Sequence, residues 1–314
     1  MKHLFIINPV AGGIKGRLAE TESAIRTAAE DLADPYEIYE TTGPMDACSR
    51  IINEAESADL LYVYACGGDG TLNECVNGAA KRANVAVTQF PFGTGNDFIR
   101  MFGTENLDKF RNLKSLAEGT VQSLDLIDCS GRYGINICSV GIDARVGADV
   151  HKYSSIPVIG GATGYVVALV VNIIKGVSQK FRITAGDLTL DKEITLACAC
   201  NGRFYGGGFN PVPEAIPDDG ILEYLVIDGA SRLKVASIVS KYAKGRFREF
   251  PNLITYVRGS SMEIEGDREF VVNIDGEAIF ANRINFDIVP NGVNFIFPSE
   301  FDFSAWKLNI RRYS

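Results

Sequence analysis

Histidine is nearly absent from this 314-residue chain, which carries only His3 and His151. Chemistry built on an imidazole base or an imidazole metal cage is therefore not expected, and acid–base work falls to carboxylates. A cationic excess is also missing. Lys and Arg number 31 against 39 Asp and Glu, a net charge of −8, which argues against nucleic acid as a partner and leaves any anionic membrane to a local patch. The seven cysteines form no CxxC pair and no Cys/His ligand cluster, and the closest two are Cys198 and Cys200. With no secretory pattern at the N-terminus, they read as reduced thiols of a cytoplasmic protein. Charge-free apolar runs are scarce. "LFIINPV" is too short for a signal core and runs into Asn8-Pro9. The segment 154–174, "SSIPVIGGATGYVVALVVNII", has no charged residue, but Pro157, Gly160, Gly161 and Gly164 dilute it. It reads as a buried or groove-lining helix rather than a membrane span.

What the chain does have is rhythm. Its length suits one or two domains. Up to about residue 122, short apolar runs alternate with helical patterns: "KHLFIIN", "YEIYETT", "DLLYVYAC" and "NVAVTQFP" as strands, with "RLAETESAIRTAAEDLA", "MDACSRIINEAES" and "TLNECVNGAAKRA" as helices. Such alternation predicts a doubly wound parallel sheet. From about 123 to 295, period-2 segments such as "VQSLDLIDC", "EITLACAC", "ILEYLVI", "EFVVNID", "RINFDIV" and "VNFIF" are separated by Gly, Asp and Asn turns. They predict an antiparallel β-sandwich. The expected fold is thus α/β plus mainly β: an N-terminal nucleotide domain, a C-terminal sandwich and a cleft between them.

The chemistry concentrates in "CGGDGTLNE", residues 66–74, at the end of the third strand. Glycines there allow a phosphate to approach the backbone, and the helix that follows offers its N-terminal dipole. Asp69 stands in the middle, where it would repel phosphate unless a divalent cation lies between the two or a proton is being handled. A tight turn with a solvated aspartate is the plain alternative. "FPFGTGNDF", 90–98, repeats the design after the fourth strand with Thr94, Asn96 and Asp97, and "NPVAGG", 8–13, follows the first with Lys15 close behind. Thr41 or Thr42 ends the second strand. In a parallel sheet these loops leave by one edge. Neither a Walker A sequence nor a Rossmann fingerprint is present.

Taken together, "NPVAGG", "GGDGTLNE", "PFGTGNDF", "LDLI" (124–127), "SVGIDA" (139–144), "NGRFYGGGFNPVPEAIPDDGILE" (201–223) and "NIDGE" (273–277) resemble the diacylglycerol kinase catalytic domain family. That family includes bacterial diacylglycerol kinases, related lipid kinases and sphingosine kinases, and shares its nucleotide domain with NAD kinases. The resemblance covers roughly residues 4–298 and implies that the C-terminal segment, about 296–314, packs back on the first domain. It also implies a nucleotide site formed by Asn8, Pro9, Gly12, Lys15, Thr41, Gly68, Asp69, Gly70, Thr71, Leu72, Asn73, Glu74, Thr94 and Asn96. Magnesium is implied at Asp69, Asp97 and Asp125. Glu277, in "DGE", matches the proposed catalytic base, with Asp69 as its partner in catalysis. A second, structural metal is implied at the Asp219 side chain with the Ile216 and Ile221 carbonyls. Read from the residues alone, "NIDGEAI" is a hairpin and "DDG" a turn.

The activity this implies is ATP-dependent, magnesium-dependent phosphorylation of a lipid hydroxyl, foremost diacylglycerol to phosphatidic acid, by a protein that docks transiently on membranes. Uncharged 154–174 is the candidate apolar wall, and "KYAKGRFREF" (241–250), Arg258 and the terminal "RRY" are candidate headgroup contacts. Alternatives are an NAD kinase, a different lipid acceptor (sphingoid base, phosphatidylglycerol or undecaprenol), or a non-catalytic binding module. Oligomeric state stays open between monomer and homodimer.

Overall fold

A computed structural model describes all residues except 12, 13, 15, 93, 94, 147, 148, 150–170, 173–175 and 314, and gives the backbone alone for 311–313. The chain divides into two compact units, Met1–Asp125 with Pro290–Ser314, and Leu126–Val289.

The first unit is built on strands β1 (Lys2–Ile7), β2 (Tyr36–Glu40), β3 (Leu61–Gly67) and β4 (Val85–Pro91). All pair in parallel: β1 lies between β2 and β3, and β4 follows β3. On its far side β4 takes Asn294 and Phe295, near the end of a long strand described below, again in parallel. Strands β3 and β4 are buried along their whole length, as expected where helices cover both faces of a parallel sheet. Between the strands run α1 (Leu18–Ala29), α2 (Asp46–Ala55) and α3 (Asp69–Ala79), followed by the short α4 (Asp97–Arg100) and α5 (Leu113–Ala117). Registers align the carboxyl ends: Ile7 sits opposite both Glu40 and Cys66, and Gly67 opposite Pro91. The loops after these strands therefore leave by the same edge of the sheet.

Aromatic packing ties the C-terminal segment into this unit. Phe102 lies 4.9 Å from Phe297 and 5.0 Å from Trp306, and Phe303 stacks on Trp306 at 5.4 Å. The Trp306 indole N–H donates to the Met101 carbonyl at 3.1 Å, so its single polar atom stays satisfied beside the rings.

The second unit is antiparallel. Its strands are β5 (Thr120–Cys129, entering from the first unit), β6 (Arg132–Gly134), β7 (Ile137–Gly141), β8 (Gln179–Ala185), β9 (Leu188–Cys200), β10 (Leu222–Asp228), β11 (Ile254–Gly259), β12 (Ser261–Ile274) and β13 (Glu277–Phe297). The order β11-β10-β9-β7-β12-β13 is crossed by β8, which pairs with both β9 and β12. Alternate residues feed two cores. Ala197, Ala199, Tyr224 and Val226 join Phe181, Ile264 and Phe286 in one. Their neighbours Cys198, Cys200, Leu225 and Ile227 join Ile238, Tyr242 and Phe247 in the other. This period-2 division is the signature of a sheet covered on both faces. The second core is closed by α6 (Arg232–Tyr242), whose Ser231 hydroxyl accepts the Lys234 amide as an N-cap. A final helix, α7, spans Phe303–Tyr313.

Several elements differ from the sequence reading. Helix α6 and strand β11 were not anticipated. "RINFDIV" and "VNFIF" are one strand, because β13 runs unbroken through Pro290-Asn291-Gly292. The turn chemistry there is satisfied at long range instead: the Asn291 amide donates to Asp125 and the Gly292 carbonyl accepts from Lys81. Among the described residues no helix is long and apolar enough to cross a membrane.

Candidate functional site

The two glycine-rich loops after β3 and β4 are joined through Asp69. Its amide donates to the Gly95 carbonyl at 3.1 Å. Its carboxylate accepts the Asp97 amide at 2.9 Å on Oδ2 and the Phe98 amide at 3.2 Å on Oδ1. The acid of the first loop thus closes the first turn after the second. Steric fit explains two of the glycines. A Cβ at Gly67 would lie 2.3 Å from the Thr71 hydroxyl, and one at Gly95 would lie 3.3 Å from the Asp69 carboxylate. Both loops must be bare for strand, turn and helix to approach this closely.

Helix α3 begins at Asp69 itself, after an extended Gly68, and its first amides face the loop edge of the sheet. Thr71, Leu72 and Asn73 are buried, so the side chains of this first turn anchor the helix while its backbone meets the loop. Glu74 reaches back to accept the Ala47 amide at 3.3 Å, tying α3 to the start of α2. Asn96 accepts a hydrogen bond from Gln89 at 3.0 Å. After β1, Asn8 folds a turn in which its side-chain oxygen accepts the Val10 amide and its carbonyl the Ala11 amide; half-buried Pro9 lies within it. Thr41 is buried and its amide donates to Ile7. Gly12, Lys15 and Thr94 lie outside the described residues, as does all of segment 154–174 except Val171 and Asn172.

The carboxylates expected to hold magnesium divide. Asp97, 4% exposed, is ion-paired with Arg100 and adjoins Asp69 through its own amide. Asp125, 2% exposed, accepts the Asn291 amide at 2.8 Å. Among the described residues no three Asp, Glu, His or Cys side chains gather closely enough to hold an ion. Magnesium, however, keeps several waters and is commonly bound through one or two carboxylates plus substrate phosphates. Asp69 and Asp97, two hard oxygen donors beside glycine-rich backbone, fit that requirement.

Glu277 opens β13 directly after a two-residue turn: Ile274 pairs with Glu277, and Asp275 and Gly276 have φ of 51° and 101°. Both positive values match the type I′ hairpin that Asp-Gly favours. What the sequence did not disclose is the clamp on this turn. The Asp275 carboxylate accepts three successive amides, Ile135 at 2.7 Å and Asn136 and Ile137 at 3.0 Å, while its own amide donates to Ile137. Asn273 accepts the Gly276 amide at 2.6 Å. Glu277, half-buried, therefore follows a turn fixed from both Asp275 and Asn273. Asn201 of "NGR" and the adjacent Phe204 lock the same place: Asn201 donates to the Ile135 carbonyl, and the Phe204 carbonyl accepts from Asn136.

The "DDG" loop is a charged cluster. Asp219 accepts the Ile221 amide at 3.2 Å and pairs with Arg258 at 3.3 Å; the Ile216 side chain is buried. Beside it Glu223 is 1% exposed, with Arg258 on one oxygen. Burial, with Asp219 next, pushes its pKa up to about 7 against the pull of Arg258. Neighbouring Arg203 is buried and lowered to about 10 by the same desolvation. Glu223 and Arg203 were not singled out by sequence reasoning; nothing in their spacing announced a buried charge.

Known proteins resemble the chain over both of its units. Residues 2–129 match the diacylglycerol kinase catalytic domain, and residues 136–297 match the YegS C-terminal NAD kinase beta sandwich-like domain. A Staphylococcus haemolyticus protein with a provisional lipid-kinase name is 26% identical over 281 residues, 89% of this chain and 90% of its own. A solved structure of a Bacillus anthracis protein, assigned provisionally as a diacylglycerol kinase, superposes with TM-score 0.72 at 24% identity, covering 94% of this chain and 96% of that one. A further structure from the same organism gives 0.69 at 25%, with the same coverage.

Proposed function

The chain belongs to the diacylglycerol kinase catalytic domain family, and from that premise we propose that it transfers the γ-phosphoryl group of ATP to a lipid hydroxyl, with diacylglycerol as acceptor and phosphatidic acid as product. The observation that carries this reading is the junction of two glycine-rich loops through Asp69 at the carboxyl edge of a parallel sheet.

In this reading the amides of Gly68, Gly70 and Thr71, at the start of α3, cradle the phosphates, and the Asn8 turn borders them. Magnesium bound by Asp69 and Asp97 would neutralise developing phosphate charge. Asp125 supports the network by fixing the Asn291 backbone rather than as a direct ligand. Phosphoryl transfer needs positioning and charge neutralisation more than covalent help. Glu277 takes the proton of the acceptor hydroxyl as its oxygen bonds to the γ-phosphorus and ADP leaves. The clamp beneath Glu277 suits that task, since a base must be held within hydrogen-bond reach of its proton.

Radiolabelled ATP offered with diacylglycerol, a sphingoid base, phosphatidylglycerol, undecaprenol and NAD tests the reading. Label entering diacylglycerol is the expected result. Label entering NAD alone, or no acceptor at all, overturns it. Glu277→Gln should lose turnover at least a hundredfold while retaining ATP-analogue binding.

A further inference from the structure

Helix α6 carries a feature that nucleotide chemistry leaves unexplained. Its inward residues Val235, Ile238 and Tyr242 fill the second core. On its outer side Leu233 is 85% exposed, among the most exposed large apolar side chains of the described chain. Residues 232–250 contain six cations and a single carboxylate, Glu249, so this stretch carries five net positive charges in a chain whose net charge is −8. Glu249 is already held between Lys241 and Arg246, and Arg248 pairs with Glu214. Among the described residues neither Lys234 nor Lys244 has an acidic partner. Phe250 gathers two of the cations: the ammonium groups of Lys234 and Lys241 lie 5.6 and 5.4 Å from its ring.

We infer that the outer face of α6 and the turn after it, carrying Leu233, Lys234, Lys241 and Lys244, is the surface by which the protein docks on an anionic lipid bilayer; the inference rests on the lipid-kinase reading only for its purpose. An aliphatic side chain standing in water between lysines matches the bilayer interface, where leucine enters the acyl boundary and lysine stems extend to the headgroups. The charge is complementary to that surface and opposite to the rest of the chain. A nucleic-acid contact has no use for a leucine protruding among the cations.

Co-sedimentation of the full chain with vesicles tests it, using phosphatidylglycerol and phosphatidylcholine in about equal parts against phosphatidylcholine alone. The wild type should favour the anionic vesicles and release as salt is raised. Lys234→Gln with Lys244→Gln should weaken partitioning roughly 25-fold, about fivefold for each lysine, and Leu233→Ser about tenfold with the salt dependence kept. Because these side chains are exposed, unfolding curves should not move. A parallel arm measures phosphorylation of a short-chain diacylglycerol dispersed in solution. Loss of vesicle binding with that turnover intact supports the docking surface. Vesicle binding lost in the variants while the wild type phosphorylates no lipid also supports it, and removes the kinase reading instead. Wild-type indifference to vesicle charge, or variants that sediment like the wild type, overturns it.

Discussion

Replacing Asp275 probes how Glu277 is held. In Asp275→Asn, Oδ1 still accepts Asn136 and Ile137, but the amide nitrogen replaces the oxygen that received Ile135 at 2.7 Å. Two donors then face each other, one charge-assisted bond is lost and a buried N–H is stranded, a cost of about 2–3 kcal/mol. Asparagine tolerates the left-handed backbone at φ 51°, so the turn itself persists. Asp275→Ala forfeits all three hydrogen bonds and adds a left-handed penalty of about 1 kcal/mol, for about 4–5 kcal/mol together. Because a chain of two units need not unfold in one step, the assay is hydrogen exchange at Ile135–Ile137 beside urea unfolding. The asparagine variant should speed exchange there by roughly 30- to 160-fold, which is that cost expressed as an opening equilibrium, and turnover should fall with it. Exchange unchanged in both variants, or an alanine variant no worse than asparagine, would refute the clamp.

Other outcomes follow from the same geometry. Gly67→Ala places a methyl 2.3 Å from the Thr71 hydroxyl. The first turn of α3 must shift, with about 2 kcal/mol lost in urea unfolding and weaker ATP-analogue binding by calorimetry. Asp69→Asn should cost about 1–2 kcal/mol by stranding one of the Asp97 and Phe98 amides, and turnover should fall further than stability does. Glu223, with its folded pKa near 7 above the ordinary value of 4.5, binds its proton more tightly folded than unfolded. Its contribution is therefore fully present below about pH 4.5 and is lost as pH rises through 7, about 3 kcal/mol in all. Glu223→Gln should flatten that slope in urea midpoints measured from pH 5 to 8; an unchanged slope would place the titration elsewhere.

The fold of the first unit was legible because local pattern and topology agree: buried runs such as Leu61–Gly67 end in glycine and give way to helices. The loop sequences likewise announced their place at one sheet edge. What stayed hidden depends on partners remote in sequence. Asp69 looked like an acid in need of a cation, yet its carboxylate also binds the amides of Asp97 and Phe98. Asp275 looked like turn chemistry, and its three partners lie about 140 residues away. Pro290-Asn291-Gly292 looked like a break, but Asp125 and Lys81 let one strand run through it. Helix α6 escaped because only Val235, Ile238 and Tyr242 turn inward amid exposed Ser, Lys and Leu233, which blurs its apolar stripe.

The most direct measurement is a crystal structure with a non-hydrolysable ATP analogue and magnesium. The account predicts the phosphates against the Gly68, Gly70 and Thr71 amides, with the ion beside Asp69 directly or through one water. A nucleotide bound away from that loop, with Asp69 touching neither ion nor its water, would contradict it.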